Sequence, residues 1–222
     1  YLFLNNLLRM RLSAENPWPA HACDISDVSS VDPLKAMSMP DVVIHCASSN
    51  RGGAEVYRIV HLEGCQHLAS AFPDARLIFT SSTSVYPQVD GSWVTEESDA
   101  TPERETSRIL RETEDFVIAR GGCVARLAGI YGPGRSFVLK NFLEGNAAIE
   151  GDGGGRWLNQ IHRDDAARAL AHLVTSDARG IFNVSDSTPL TQRECLEKLA
   201  VRFNKPVPPV APIDPVGPVA PV

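Results

Sequence analysis

The chain has 222 residues, of which 43% are hydrophobic and 22% are charged, a composition typical of a globular protein with one main domain. Its formal net charge of −6 argues against a nucleic-acid partner and against an anionic membrane surface, because both need a concentrated basic face. No apolar run approaches the roughly 20 residues that span a bilayer, and the N-terminus lacks the pattern of a signal peptide, so we expect a cytoplasmic protein.

Apolar or β-branched runs of four to eight residues are typical of strands that are covered on both faces, as in a parallel sheet. The chain has four such runs, at 41–47, 76–81, 123–130 and 180–184. Apolar residues at helical spacing predict helices over 54–72, 103–119 and 164–174, and a shorter one over 136–144. Thr191 and Glu194 form a capping box that opens a further helix.

Strands that alternate with helices of this length indicate right-handed crossover connections. The pattern therefore predicts an α/β protein with a doubly wound parallel sheet.

The five cysteines are odd in number and scattered, and none forms a C-x-x-C pair. They are Cys23, Cys46, Cys65, Cys123 and Cys195. This pattern is poor for a disulfide framework or a zinc site. We expect buried free thiols in a reducing compartment and no metal site.

From Pro206 onward prolines dominate, and between Pro209 and Pro221 they recur every three residues. That period places them along one edge of a polyproline II helix, which would suit a ligand of a proline-binding domain. We favour the alternative, a solvated tail or linker over 206–222 that does not pack.

The stretch 77–86 predicts a buried strand that ends in a cluster of hydroxyl side chains. In an open parallel sheet, ligands bind beyond the carboxyl ends of the strands. These hydroxyls could hydrogen-bond to a substrate oxygen, although they could equally cap a turn. The run 41–47 also leads into small residues, which let a cofactor approach the backbone, and we interpret its His45 as a strand residue rather than a base or ligand.

Three further positions are weaker candidates. Asp24 follows a possible strand and could accept a hydrogen bond from an adenine amine, although a turn aspartate is the default interpretation. The segment 126–135 follows a strand and contains glycines that could bind an anion, but Pro133 removes a backbone donor that a phosphate cradle needs. His162 precedes a predicted helix, where it could contact a substrate or merely belong to the helix start.

The order of these pieces resembles the NAD-dependent epimerase/dehydratase family, the extended short-chain dehydrogenase/reductases, over about residues 20–205. The matching segments are 24–27, 43–47, 81–86, 126–134, 162–165 and 182–185. The resemblance implies a Rossmann-type domain over 1–205 that holds NAD or NADP, with a small C-terminal α/β lobe formed by about 133–160 and 180–205. It further implies an oxidoreductase or epimerase that acts on a sugar-like or hydroxylated small molecule, and it allows for a homodimer.

The resemblance also implies roles for individual residues. Asp24 and Ile25 would lie near adenine. The phosphates and ribose would be contacted by Cys46, Ala47 and Ser48. The nicotinamide ribose would be contacted by Thr80, Ser81 and Ser82, of which Ser82 takes the family's catalytic hydroxyl position. The nicotinamide and substrate side would be lined by Leu127, Ala128, Gly129, Ile130 and Tyr131, and Tyr131 is a second catalytic candidate.

The chain departs from the family's pattern at its N-terminal end. Its first glycine is Gly52, so the family's glycine fingerprint, which places a pyrophosphate on a helix N-terminus, is absent. Either the first strand and this loop, about 40 residues, precede Tyr1 in the full protein, or the protein has lost the usual means of holding the dinucleotide, and we favour the first interpretation.

A second departure concerns the family's Tyr-x-x-x-Lys pair. Counting back from Glu114, its positions fall on Thr106 and Leu110. A threonine hydroxyl is a far weaker acid than a phenol, and leucine supplies no charge, which weighs against the ordinary hydride-transfer mechanism. Glu105, Tyr86 and Tyr131 are the alternative bases. The alternative function is a non-catalytic dinucleotide-binding or redox-sensing protein of the same fold.

Overall fold

The computed structural model describes residues 2–4, 20–36, 39–49, 52–151 and 153–211. The strands are β1 (Leu2–Leu4), β2 (Ala20–Ala22), β3 (Val42–His45), β4 (Arg76–Ser82), β5 (Cys123–Leu127), β6 (Gly129–Tyr131), β7 (Trp157–Leu158), β8 (Gln160–His162), β9 (Gly180–Val184) and β10 (Leu190–Thr191). The α-helices are α1 (Val28–Val31), α2 (Ala54–Tyr57), α3 (Gly64–Ala71), α4 (Glu105–Ala119), α5 (Phe137–Glu144), α6 (Arg163–Thr175) and α7 (Gln192–Phe203).

The chain divides into two compact units. The first covers 1–87, 96–126 and 173–182, and the second covers 88–95, 127–172 and 183–222. Each unit has a hydrophobic core of its own.

The first unit is built on a four-stranded sheet with the order β3-β4-β5-β9. Strands β3 and β4 run parallel, with Val42 opposite Arg76 and His45 opposite Phe79. Helices lie between the sheet strands along the chain, as the crossovers between parallel strands require. A separate pair, β1 and β2, is also parallel. The prediction of an α/β fold of the Rossmann type with a parallel central sheet is therefore confirmed.

The core of the first unit joins strand and helix side chains in one buried cluster. Phe79 of β4 and Val124 of β5 belong to it, together with Leu68 of α3 and Val117 of α4. Every residue of β5 is buried, as its run of apolar residues around Arg126 predicts. Burying each such side chain stabilises the fold by about 1.5–3 kcal/mol, so these strands hold the sheet on which the candidate site is built.

The run 123–130, predicted as a single strand, forms two strands that belong to different sheets. The N–H of Ala128 donates to the carbonyl oxygen of Val184 (3.0 Å), whereas the N–H of Gly129 donates to that of Asn159 (3.0 Å). A Cβ at position 129 would lie 3.1 Å from the carbonyl oxygen of Asn159, so glycine permits the close approach at which the pairing changes. Hydrophobic periodicity carries no information about the partner strand, which explains the error.

The second unit contains two short two-stranded sheets and a helical core. Strand β6 pairs in parallel with β8, and β7 pairs antiparallel with β10. Phe142 of α5 packs with Ile149 and with Leu196 of α7. The predicted capping box is present at the start of α7, where the Thr191 side chain accepts from the N–H of Glu194 and the Glu194 carboxylate accepts from the N–H of Thr191.

The prediction of an unpacked tail is wrong for its first residues. The N–H of Ile149 donates to the carbonyl oxygen of Pro209 (2.9 Å), and the N–H of Ala211 donates to the carbonyl oxygen of Ile149 (2.8 Å). Ile149 is buried, and a buried backbone group needs a partner. Proline can serve here because it contributes only its carbonyl. Residues 212–222, which carry most of the three-residue proline period, lie outside the described residues.

All five cysteines are free, as predicted, but they are not all buried. Cys46 is exposed because β3 ends at His45 rather than continuing through the apolar run, and Cys195 is half-buried. Within the described ranges, no three metal-ligating side chains come together. None of the described helices combines the length and the apolar character that crossing a membrane requires.

Candidate functional site

The carboxyl ends of β3 and β4 place two predicted groups of site residues at one edge of the sheet. Because the two strands are parallel and paired through His45 and Phe79, residues 46–48 and 80–82 follow them at the same edge. The Thr80 hydroxyl donates to the carbonyl oxygen of His45 (3.2 Å) and ties the two strand ends together. Cys46 and Ser48 are exposed, and Ala47 is half-buried, so small accessible side chains line the β3 side.

The three hydroxyls at the end of β4 have different partners. Thr80 donates to the backbone, and Ser81 is buried and donates to Glu114 Oε1 (2.5 Å). Ser82 is half-buried and accepts from the N–H of Ser84 (3.1 Å), with no acceptor for its own proton among the described residues. Ser82 is therefore the hydroxyl of this row that can still donate to a ligand.

A buried ionic network lies behind the strand end. The Arg126 guanidinium donates to both carboxylate oxygens of Glu114, with Nη2 2.6 Å from Oε2 and Nε 3.0 Å from Oε1. Glu114 is 0% exposed and Arg126 is 1% exposed. Burial alone favours the neutral form of the guanidinium, but the hydrogen bonds to Glu114 outweigh it and raise the pKa of Arg126. Arg111 Nη1 also donates to Glu114 Oε2 (2.5 Å), so the carboxylate that holds Ser81 is itself held from two sides.

The positions that correspond to the family's tyrosine and lysine lie on α4. Leu110 is 5% exposed and belongs to the core cluster of the first unit, and Thr106 is half-buried. Of the alternative bases, Tyr86 already accepts a hydrogen bond from Arg126 Nη1 (2.8 Å), and Glu105 lies exposed in the first turn of α4. Neither arrangement reproduces a phenol beside a free ammonium.

Two histidines are buried below the end of β3. His45 Nε2 lies 2.9 Å from the carbonyl oxygen of Val60, in a π-helical segment over Arg58–Glu63 that joins α2 to α3. His61 belongs to the same segment, and its ring centroid is 6.0 Å from that of His45. Burial lowers the pKa of His45, and it lowers the pKa of His61 to about 4. His45 is thus a buried residue of the strand, as the sequence predicts.

Asp24 and Ile25, the predicted adenine contacts, lie in a turn after β2. The Asp24 carboxylate accepts from the N–H (3.0 Å) and the hydroxyl (2.6 Å) of Ser26, which is the turn arrangement considered as the alternative from the sequence. Ile25 is buried, and a Cβ at Gly64 would lie 3.0 Å from its Cδ1. Their contact with adenine stays a prediction.

The remaining predicted residues belong to the second unit. Leu127 and Ala128 are buried, and Gly129, Ile130 and Tyr131 are half-buried. Tyr131 lies opposite His162 in the parallel register of β6 and β8, with ring centroids 5.3 Å apart. The sequence offers both residues as separate candidates, but it does not pair them, because the register between two short strands leaves no local signal.

The sequence model of the NAD dependent epimerase/dehydratase family matches residues 6–185 of the chain. Protein YeeZ of Escherichia coli strain K12 is 30% identical over 170 residues, which are 75% of this chain and 58% of that protein. The chain therefore spans less than two thirds of the length of this relative.

Solved structures with the same fold include two proteins of Bacillus anthracis strain Ames. One is a dTDP-glucose 4,6-dehydratase in complex with NAD, with a TM-score of 0.74 and 18% identity, covering 87% of this chain and 67% of that one. The other is a dTDP-4-dehydrorhamnose reductase in complex with NADP, with a TM-score of 0.74 and 18% identity, covering 88% of this chain and 77% of that one. At this level of identity the likeness concerns the fold.

Proposed function

The chain belongs to the NAD dependent epimerase/dehydratase family, and from this premise we propose that it is part of an NAD- or NADP-dependent oxidoreductase or epimerase. The proposed substrate is a sugar-like or otherwise hydroxylated small molecule, a class supported by the names of the dTDP-sugar enzymes that share its fold. The observation that carries the proposal is the Ser82 hydroxyl, which stands at the carboxyl edge of a parallel sheet with its proton uncommitted among the described residues.

The residues present fit a dinucleotide at this edge. Cys46, Ala47 and Ser48 have small side chains, and a cofactor can approach the backbone closely there. We assign them to the phosphates and ribose, residues 80–82 to the nicotinamide ribose, and residues 24–25 to adenine. When bound, the nicotinamide ring would supply the hydride acceptor or donor.

We assign the polarisation of the reacting oxygen to Ser82. The N–H of Ser84 fills an acceptor position of its hydroxyl, and this orients the O–H bond for donation to a substrate oxygen. In the second unit, residues 127–130 would line the nicotinamide and substrate side, and Tyr131 would be the acid or base. Its hydroxyl has no hydrogen bond within the described residues, whereas that of Tyr86 is engaged by Arg126.

Titration of the full chain with NADH and with NADPH, followed by fluorescence and calorimetry, tests the cofactor assignment and selects between the two dinucleotides. Turnover on a panel of sugar nucleotides and hydroxy compounds then tests the reaction. Ser82→Ala should retain dinucleotide binding and lower kcat by about 10²–10³-fold, the cost of one lost donor to a reacting oxygen. Ser176→Ala, at an exposed position, is the matched control. Unchanged turnover in Ser82→Ala would remove Ser82 from the mechanism.

The second candidate function is a dinucleotide-binding or redox-sensing protein without turnover. This alternative comes from the sequence, because Thr106 and Leu110 at the family's tyrosine and lysine positions supply neither a phenol nor a cation. Tight binding of NADH or NADPH with no turnover across the panel would support this candidate, and turnover of any compound would exclude it.

We place the protein in the cytoplasm, where five free thiols persist. The proposal includes a homodimer, which light scattering on the purified chain checks directly.

A further inference from the structure

An aromatic pair closes the carboxyl ends of β6 and β8 in the second unit. Tyr131 is the last residue of β6 and His162 is the last residue of β8, and the two are register partners. Their ring planes are inclined by 76° with the centroids 5.3 Å apart. Both residues are half-buried, so packing restricts the rings while part of each stays accessible.

The hydrogen bonding of His162 defines which of its nitrogens can donate. Nδ1 accepts from the N–H of Asp164 (3.3 Å). A neutral imidazole that accepts at Nδ1 carries its proton on Nε2. Nε2 has no hydrogen-bond partner among the described residues. His162 therefore presents an uncommitted N–H donor.

The residue beside this donor is a glycine for a structural reason. Gly132 has φ +152°, a conformation that residues with a side chain rarely adopt. A Cβ at this position would lie 3.3 Å from His162 Nε2 and 3.2 Å from Arg163 Cβ. The absence of a side chain keeps the space next to Nε2 open.

The turn that follows β6 does not cradle phosphate with its backbone. Gly132 and Arg135 exchange two backbone hydrogen bonds (2.8 and 2.9 Å), and Pro133 has no N–H to offer. The side chain of Arg135 is available instead. Its Nε donates to the carbonyl oxygen of Ile130 (3.2 Å), which anchors the guanidinium beside Tyr131.

The charge of Arg135 is not neutralised within the described part of the chain. No carboxylate there forms an ion pair with it. Its neighbour Arg163, by contrast, is paired with Asp164, with Nε 3.0 Å from Oδ1. Asp164 Oδ2 is also 3.9 Å from His162 Nδ1, on the side of the ring away from the donor. The unpaired cation Arg135 and the N–H donor of His162 thus both adjoin Gly132.

We propose that the His162 Nε2–H and the Arg135 guanidinium bind an oxyanion, the carboxylate or phosphate group of a small-molecule ligand. A planar guanidinium with additional donors complements a charge that is spread over several oxygens. The inference deepens the proposed function, on which it rests for taking the ligand to be the substrate: it makes that substrate anionic.

The test uses the full chain labelled with ¹⁵N-histidine. Before any addition, the His162 nitrogens should show the tautomer with the proton on Nε2. Inorganic phosphate and acetate are then titrated separately, with erythritol as the uncharged probe. We expect a saturable shift of the His162 Nε2 resonance with at least one anion and none with erythritol, and the tighter anion distinguishes a phosphate ligand from a carboxylate ligand.

Variants separate the two groups. Arg135→Gln should weaken binding of the tighter anion by about tenfold or more, since it removes the cation of the site. His162→Phe should weaken binding less, because it removes one N–H donor and leaves Arg135 in place. His162→Phe keeps the ring contact with Tyr131, and His162→Gln, which restores an N–H donor, should recover much of the affinity. Arg168→Gln is the matched control, because Arg168 is already paired with Asp165 (2.6 Å).

A shift that grows linearly with anion concentration, or equal weakening in Arg168→Gln, would overturn the proposal. So would unchanged affinity in Arg135→Gln. Near-ultraviolet circular dichroism identifies any variant that does not fold, and calorimetry of anion binding to folded Arg135→Gln keeps the test decisive. The titration contains no dinucleotide, so anion binding without NADH or NADPH binding would retain the oxyanion site and reject the proposed function.

Discussion

Replacing Glu114 with glutamine isolates the energetic role of the buried network behind the hydroxyl row. The substitution keeps the shape of the side chain and removes its charge. Arg126, which is 1% exposed, would then be a buried cation without its bidentate partner. Ser81 would face an amide instead of the carboxylate oxygen at 2.5 Å.

The expected cost follows from burial. Removing one partner of a buried ion pair destabilises a protein by about 3–5 kcal/mol, because the remaining charge stays desolvated. Arg111 moderates the effect, since it is 24% exposed and is also paired with Asp115 (2.6 Å). We therefore expect Glu114→Gln to lower the free energy of unfolding by about 3 kcal/mol.

Urea denaturation followed by circular dichroism measures this change, and Glu112→Gln provides the control. Glu112 lies on the same helix and pairs with Arg58 at 2.9 Å, but both side chains are about half exposed, at 52% and 44%. Exposed pairs of this kind contribute about 0–1 kcal/mol. Equal losses of stability in the two variants would refute the reasoning, because burial of the Glu114 pair would then carry no extra energetic weight.

Three other predictions concern the same chain. Burial lowers the pKa of His61 from 6.5 to about 4 in the folded protein. As the pH falls, the unfolded chain therefore takes up this proton before the folded protein does, so the free energy of unfolding should be fully retained above about pH 6.5 and should fall by about 2 kcal/mol at pH 5. In His61→Phe, the urea midpoint should depend less on pH. Thr191→Ala removes the N-cap of α7 and should lower the free energy of unfolding by about 1 kcal/mol in the same assay. An unchanged free energy would show that the cap does not contribute. Leu110→Lys buries a charge at a position 5% exposed and should lower the free energy of unfolding by about 3 kcal/mol or more. The control Leu110→Met should lower it by less than about 1.5 kcal/mol. A Leu110→Lys protein as stable as the control would show that this position can present a cation.

The elements that the sequence predicts well are those whose residues repeat with a clear period. The run 180–184 is β9, the capping box opens α7, and the predicted helix 164–174 is α6 with one more residue at each end. These features depend on local spacing alone. The break at Ala128 depends on which strand accepts each N–H, and a single sequence contains no such information.

The candidate site divides in the same way. The sequence places hydroxyls at a strand end, because a buried apolar run leads directly into serine and threonine. It does not distinguish Ser81 from Ser82. That distinction follows from the alternation of side chains along β4, which directs Ser81 into the buried network with Glu114, and from the start of a 3₁₀ turn at Thr83, whose second N–H binds Ser82.

The same hydrogen bonds decide which groups remain for chemistry. Glu114 engages Ser81 and Arg126, and Arg126 in turn donates to Tyr86, so the network that fixes the strand end also contacts the phenol four residues after Ser82. Glu105 is exposed in the first turn of α4. Of the three bases that the sequence offers, Tyr131 is the one whose hydroxyl has no hydrogen bond within the described residues. The proposed function assigns the acid or base to Tyr131, and on that proposal Tyr131→Phe should abolish turnover while leaving dinucleotide binding intact.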